Sequence, residues 1–137
     1  MTSSHRQLIR DFFTAIPSGN VPDDLLTPDM TFWSVNGGTA EKARFQGAMK
    51  ILASIFSGDL AYTIDSLTAE DDRVVAEVRS HGTLINGEAT SNTHMFLFRI
   101  RDGRIASVAE YMNQLVVREK IAPLMLAAMT NSGAAQK

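Results

Sequence analysis

The run from Phe96 to Asn113, FLFRIRDGRIASVAEYMN, sets one carboxylate, Glu110, among apolar residues near the end of a strand-like segment. Burying a carboxylate is costly unless it is solvated, paired or protonated. In an apolar cavity such a group can have its pKa raised and can move protons near neutral pH. Glu110 is therefore the main candidate for acid/base catalysis. The structural alternative is a carboxylate tied to a helix N-terminus, a backbone N–H or an arginine. His94 is the second candidate, as an acid/base or a ligand donor, weighed against a satisfied rim histidine.

Which way these side chains point follows from strand alternation. Between Arg73 and Thr83, the small apolar set Val74, Ala76, Val78, Ser80 and Gly82 is expected inside. Glu77, Arg79 and His81 fall on the opposite face. In the next strand Arg99 and Arg101 lie outside, which puts His94, Phe96, Phe98 and Ile100 inside. In the last strand Ile105 and Val108 are apolar but out of phase. That predicts a bulge or a three-residue loop beside the Asp102-Gly103 turn. With the extra residue, Phe96 faces Glu110, Phe98 faces Val108, and Glu110 points inward; a strict two-residue turn would send it outward.

Phe32, Met49, Phe96, Phe98 and Met112 are then candidates for an apolar wall that takes a flat ligand. Ordinary core packing is the better reading for any one of them alone. Ser34 and Ser80 offer hydrogen bonds to a carbonyl, and without a base beside them neither reads as a nucleophile. The three histidines are scattered, with no i, i+4 pair, so no metal site is expected.

The elements that must position these residues can be read along the chain. Ser3 or Ser4 is expected to cap a helix to Ile16, with Leu8, Ile9, Phe12, Phe13 and Ile16 on one face and His5 in a floppy terminus. A helical turn over Pro22–Leu26, a strand over Met30–Val35 and a helix over Ala43–Phe56 follow. Four strands are expected over Leu60–Leu67, Arg73–Leu84, Asn92–Arg101 and Arg104–Met112. A helix over Leu115–Ala128, interrupted by Pro123, precedes a frayed tail. Helices first and strands later imply an α+β fold: a curved, mostly antiparallel sheet wrapped around helices, which leaves a cone-shaped cavity.

The chain has 137 residues, 45% apolar and 20% charged, with a net charge of −2 and no cysteine. One domain is expected, with its core over about residues 5–122 and a tail over 123–137. The charge balance and the lack of a basic cluster argue against a nucleic-acid partner. Without cysteine, disulfides and thiolate chemistry are excluded. There is no long apolar span or apolar leader, so no membrane association and a cytoplasmic location are expected. The outer sheet face, which mixes charge with Met95 and Leu97, suits pairing of two copies as a homodimer, an expectation that leans in part on the family resemblance below. The alternative is a solvated face with opposite charges on neighbouring positions.

The segments RDFFTAIPSGN, LLTPDMTFW, DDRVVAEVRSHGT and FRIRDGRIASVAEYMN resemble the nuclear-transport-factor-2-like (NTF2-like) superfamily. The likeness is to SnoaL-like polyketide cyclases and ketosteroid-isomerase-like proteins. It implies a cone-shaped α+β barrel and puts Glu110 where the cyclases carry an acid/base aspartate. The run Glu110-Tyr111-Met112-Asn113 also resembles the end of the phenazine-biosynthesis A/B proteins, which implies an acid/base role for the matching glutamate. The departures count as well. Ser34 stands where steroid isomerases place an aspartate base, and Phe12 stands where they place an oxyanion tyrosine. Val78 and Ser80 stand where limonene-epoxide-hydrolase-like members carry an arginine and an aspartate. Phe96 matches the histidine of one cyclase branch, for which His94 can substitute. The resemblance thus implies a cofactor-free enzyme for isomerisation, cyclisation or dehydration of a small hydrophobic carbonyl compound. The alternative is a non-catalytic binding module of the same fold.

Overall fold

The computed structural model describes residues 2–135, with side chains described for residues 4–131. Helix α1 spans Thr2–Ala15 and buries Leu8, Ile9, Phe12 and Phe13. Ser3 and Ser4 lie within it rather than capping it, and His5 is helical, in its first turn, rather than part of a floppy terminus. The chain leaves α1 through a tight turn, Ile16–Ser18, closed by Gly19 at φ 79°. Only glycine takes that left-handed geometry without strain.

Strand β1 spans Leu26–Ser34, four residues earlier than its sequence suggests. Thr27-Pro28-Asp29 reads as a breaker, yet it lies where the ladder slips between Leu26 and Thr31, and proline is tolerated at such an irregularity. A four-residue strand β2, Gly38–Glu41, pairs with β1 and has no counterpart in the sequence reading. Helix α2 spans Lys42–Ser54. Strands β3 (Ala61–Glu70), β4 (Arg73–Thr83), β5 (Ala89–Arg101) and β6 (Arg104–Met112) complete one sheet in the order β2-β1-β6-β5-β4-β3. Only β1 and β6 run parallel; every other pair is antiparallel. The sheet curves around the helices without closing, and the fold is α+β.

The space inside this sheet is filled at one end. Phe12 and Phe13 of α1 meet Phe98 and Phe96 edge-on, with ring centres 5.2 and 4.9 Å apart. Buried aromatic rings of this kind stabilise by about 1.5–3 kcal/mol each. A second cluster, Ile55, Phe56, Leu60 and Leu84, ties the end of α2 to β4. There Gly82 allows a close approach, because a Cβ at that position would lie 2.7 Å from the Phe56 ring and force it to shift.

After β6, Asn113 accepts a hydrogen bond from the Leu115 N–H and starts the short helix α3, Gln114–Val116. A π-helical turn, Val117–Ile121, leads into α4, Ala122–Ala135. Pro123 does not break the helix as expected. It sits in the first turn of α4 directly after the wide turn, where a missing N–H and a bulky ring are tolerated. The expected frayed tail is helical to Ala135, while Gln136 and Lys137 lie outside the described residues. Among the described residues, no helix is long and apolar enough to cross a membrane.

Candidate active site

The Asp102-Gly103 turn is a two-residue turn, with both residues at positive φ (54° and 74°). The extra residue comes just after it. Ile100 pairs with Ile105 and Arg99 with Ser107, which leaves Ala106 bulged. Beyond the bulge Phe98 pairs with Val108 and Phe96 with Glu110, and the Glu110 side chain enters the concave side of the sheet. On its other flank Glu110 neighbours Ser34 of β1.

Glu110 is paired. Its Oε2 lies 2.7 Å from His94 Nδ1, and His94 Nε2 lies 2.8 Å from the Ser80 hydroxyl. A carboxylate only accepts, so Nδ1 donates to Glu110, and the neutral ring then offers Nε2 as an acceptor for the Ser80 O–H. The His94 and Glu110 side chains are only 8% and 15% exposed. Among the described residues Glu110 Oε1 has no hydrogen-bond partner, and it is not sealed off as a buried orphan.

Tyr62 of β3 completes the polar strip. It stands directly opposite Ser80 in the ladder, with its ring 5.9 Å from that of His94 and 5.4 Å from that of Phe13. Burial first, and the Glu110 charge second, push its phenol above the ordinary value of 10.0. It therefore stays protonated and can donate. Among the described residues its hydroxyl has no hydrogen-bond partner.

These groups open on a cavity of about 290 Å³ at the end of the sheet that α1 does not fill. Glu110, His94, Ser80, Tyr62 and Ser34 supply its polar wall, and Phe32, Met49, Phe96 and Met112 are among its apolar lining. Phe98 is a correction. It faces inward as expected but is fully buried between Phe12, Phe13 and Phe96, at the packed end, and does not reach the cavity. Ser34 does line the cavity, and its hydroxyl accepts from the Gly37 N–H in the β1–β2 turn at 3.1 Å. Ser80 departs from its expectation in the other direction, since a base does stand beside it.

The sequence reading missed two parts of the site. Tyr62 carried a signal, because Tyr62 and Ile64 alternate with polar neighbours on a strand whose faces were left unassigned. Val116, Val117, Ile121 and Met125 cover the cavity from the C-terminal segment, and their apolar pattern alone could not reveal what they cover.

A curved, open six-stranded sheet around helices, with a cavity on its concave side, is the architecture of the NTF2-like class of α+β proteins. Within that class the chain belongs to the SnoaL-like domain family, which matches residues 9–108 and so ends just short of Glu110. No curated protein matches the chain in sequence. Among solved structures it is similar to an NTF2-like protein from Anabaena variabilis, at 25% identity and a TM-score of 0.73, covering 82% of this chain and 88% of that one. It is also similar to a candidate isomerase from Bacillus subtilis, at 21% identity and a TM-score of 0.75, over 88% and 94% of the two chains. A candidate SnoaL-like polyketide cyclase from Jannaschia sp. CCS1 aligns at 17% identity and a TM-score of 0.71, over 87% and 92%. Similarity at these identities establishes the shared fold.

Proposed function

We propose that this chain is a cofactor-independent acid/base enzyme acting on a hydrophobic, carbonyl-bearing small molecule by isomerisation, cyclisation or dehydration. The observation that carries this reading is the Glu110–His94 pair opening on an apolar cavity. Glu110 Oε1 takes a proton from the carbon beside the carbonyl. His94, whose Nδ1–H donates to Oε2, holds the carboxylate in place and steadies its charge by hydrogen bonding, and Glu110 returns the proton to the rearranged product. The Tyr62 O–H donates to the developing enolate oxygen, an interaction strongest where the charge develops and water is excluded. A binding module of the same fold needs no second titratable group on the carboxylate, and His94 at 2.7 Å favours the catalytic reading.

The test is hydrogen–deuterium exchange at the α-carbon of 2-tetralone, a compact apolar ketone, followed by NMR in D2O. The wild-type chain is expected to accelerate exchange, and Glu110→Gln to cut that acceleration by about a hundred- to ten-thousand-fold. Equal rates in the two proteins would remove Glu110 from the mechanism.

The same reading includes a homodimer through the convex face of the sheet. Trp33, Ala109, Leu97 and Val75 stand side by side in register across four strands, with Met95 and Tyr111 exposed next to them. An apolar belt of this kind, edged by charge, suits a subunit contact.

A further inference from the structure

We infer that Ser80, His94 and Glu110 also work as a nucleophilic relay, which gives the cavity an acyl-transfer activity on apolar esters or thioesters. This goes beyond the acid/base reading, in which Ser80 has no covalent part.

The relay is built by the register of three adjacent strands. Ser80 of β4 pairs with Asn92 and Glu110 of β6 pairs with Phe96, while His94 lies between those two positions on β5. The imidazole therefore reaches diagonally to both neighbours, the distance at which long side chains meet across a sheet. Both contacts have hydrogen-bond length, 2.7 Å at Nδ1 and 2.8 Å at Nε2. A serine touching a histidine is by itself commonplace. Here the far ring nitrogen is held by a carboxylate, which fixes the tautomer that makes Nε2 a base toward the hydroxyl. Ser80 also lines the cavity, so an acyl group held there reaches its oxygen. Directly opposite Ser80, Tyr62 supplies an O–H for the oxyanion.

The chemistry balances without any oxidant or cofactor. Ser80 Oγ bonds to the carbonyl carbon as its proton passes to His94 Nε2, and the carbonyl π-electrons move onto oxygen. Collapse of that oxyanion breaks the bond to the leaving alkoxide or thiolate. The leaving group takes the proton from His94 and departs as an alcohol or thiol. Water then attacks the acyl-serine by the same route, which releases a carboxylic acid and restores Ser80.

The experiment uses an alkyl fluorophosphonate, which phosphonylates serines activated in this way. Intact-mass analysis of the wild-type chain is expected to show one adduct, with peptide mapping placing it on Ser80. Labelling should be abolished in Ser80→Ala and slowed at least a hundredfold in His94→Gln, with circular dichroism confirming that both variants are folded. No adduct on the wild-type chain, or an adduct at another residue, overturns the relay, and this outcome does not depend on any variant folding. The ketone-exchange assay reports on Glu110 with no serine adduct involved. Exchange without labelling therefore sinks the relay alone, and labelling without Glu110-dependent exchange sinks the acid/base reading alone.

Discussion

At the scale of single residues, the site rests on which atoms are left free once the internal bonds are made. His94 uses both ring nitrogens, whereas Glu110 keeps one oxygen and Tyr62 keeps its hydroxyl. The donor that meets a substrate oxygen is therefore Tyr62. Tyr62→Phe preserves the ring contact with Phe13 and removes only the O–H. It should weaken binding of 2-naphthol, an enol-shaped analogue of 2-tetralone, by about 5- to 10-fold, the worth of one hydrogen bond. Calorimetric titration measures this, and undiminished affinity would take Tyr62 out of the site. Much of this scale was legible in advance. Alternation put His94 and Phe96 on one face, since arginines on the other face of β5 settle the phase, whereas Glu110 joined them only through the extra residue expected beside the turn. Phe98 shared that phase yet misled, because alternation tells inside from outside and says nothing of how far along the interior α1 reaches. The Ser80–His94 contact joins neighbouring strands diagonally and needs a register that no single segment carries.

At the scale of elements, two local features decide whether the site exists. The Ala106 bulge restores the inward phase of β6, and the out-of-phase Ile105 and Val108 announced it in the sequence. Gly82 lets the Phe56 ring and the Leu60 backbone lie against β4, at the strand end next to Ser80. Gly82→Ala forces that contact apart and should lower stability by about 1–3 kcal/mol, the usual cost of overpacking. Urea denaturation reads this directly, and an unchanged midpoint would show that Phe56 moves aside freely. Strand β2 was illegible because four residues, Gly-Thr-Ala-Glu, hold neither length nor period. Pro28 concealed the start of β1 because proline argues against a strand except at an irregularity, and the irregularity is a property of the pairing with β6.

At the scale of the whole molecule, the sheet has two unlike faces. The concave face holds the aromatic core and the cavity, and the convex face exposes Met95 and Tyr111 beside the Trp33 ring, whose centre lies 5.1 Å from that of Tyr111 at a tilt of 56°. The homodimer proposed for that face predicts that Tyr111→Glu, which sets a charge in the middle of the belt, shifts the chain from dimer to monomer in sedimentation velocity at micromolar concentration. A wild-type chain that already sediments as a monomer there would dismiss the proposal.

The placement of β6 has a further consequence, for how the chain is made. Among the described residues the last strand of the sheet in chain order, β6, is not at an edge; it lies between β1 and β5 and bonds to both. Until it leaves the ribosome, the emerging polypeptide can form only two half-sheets, each with an open, hydrogen-bond-hungry flank. Such flanks invite pairing with other nascent chains. Completion of the sheet must therefore wait until β6 itself has been made, and until then contact between copies of the chain is a hazard to folding.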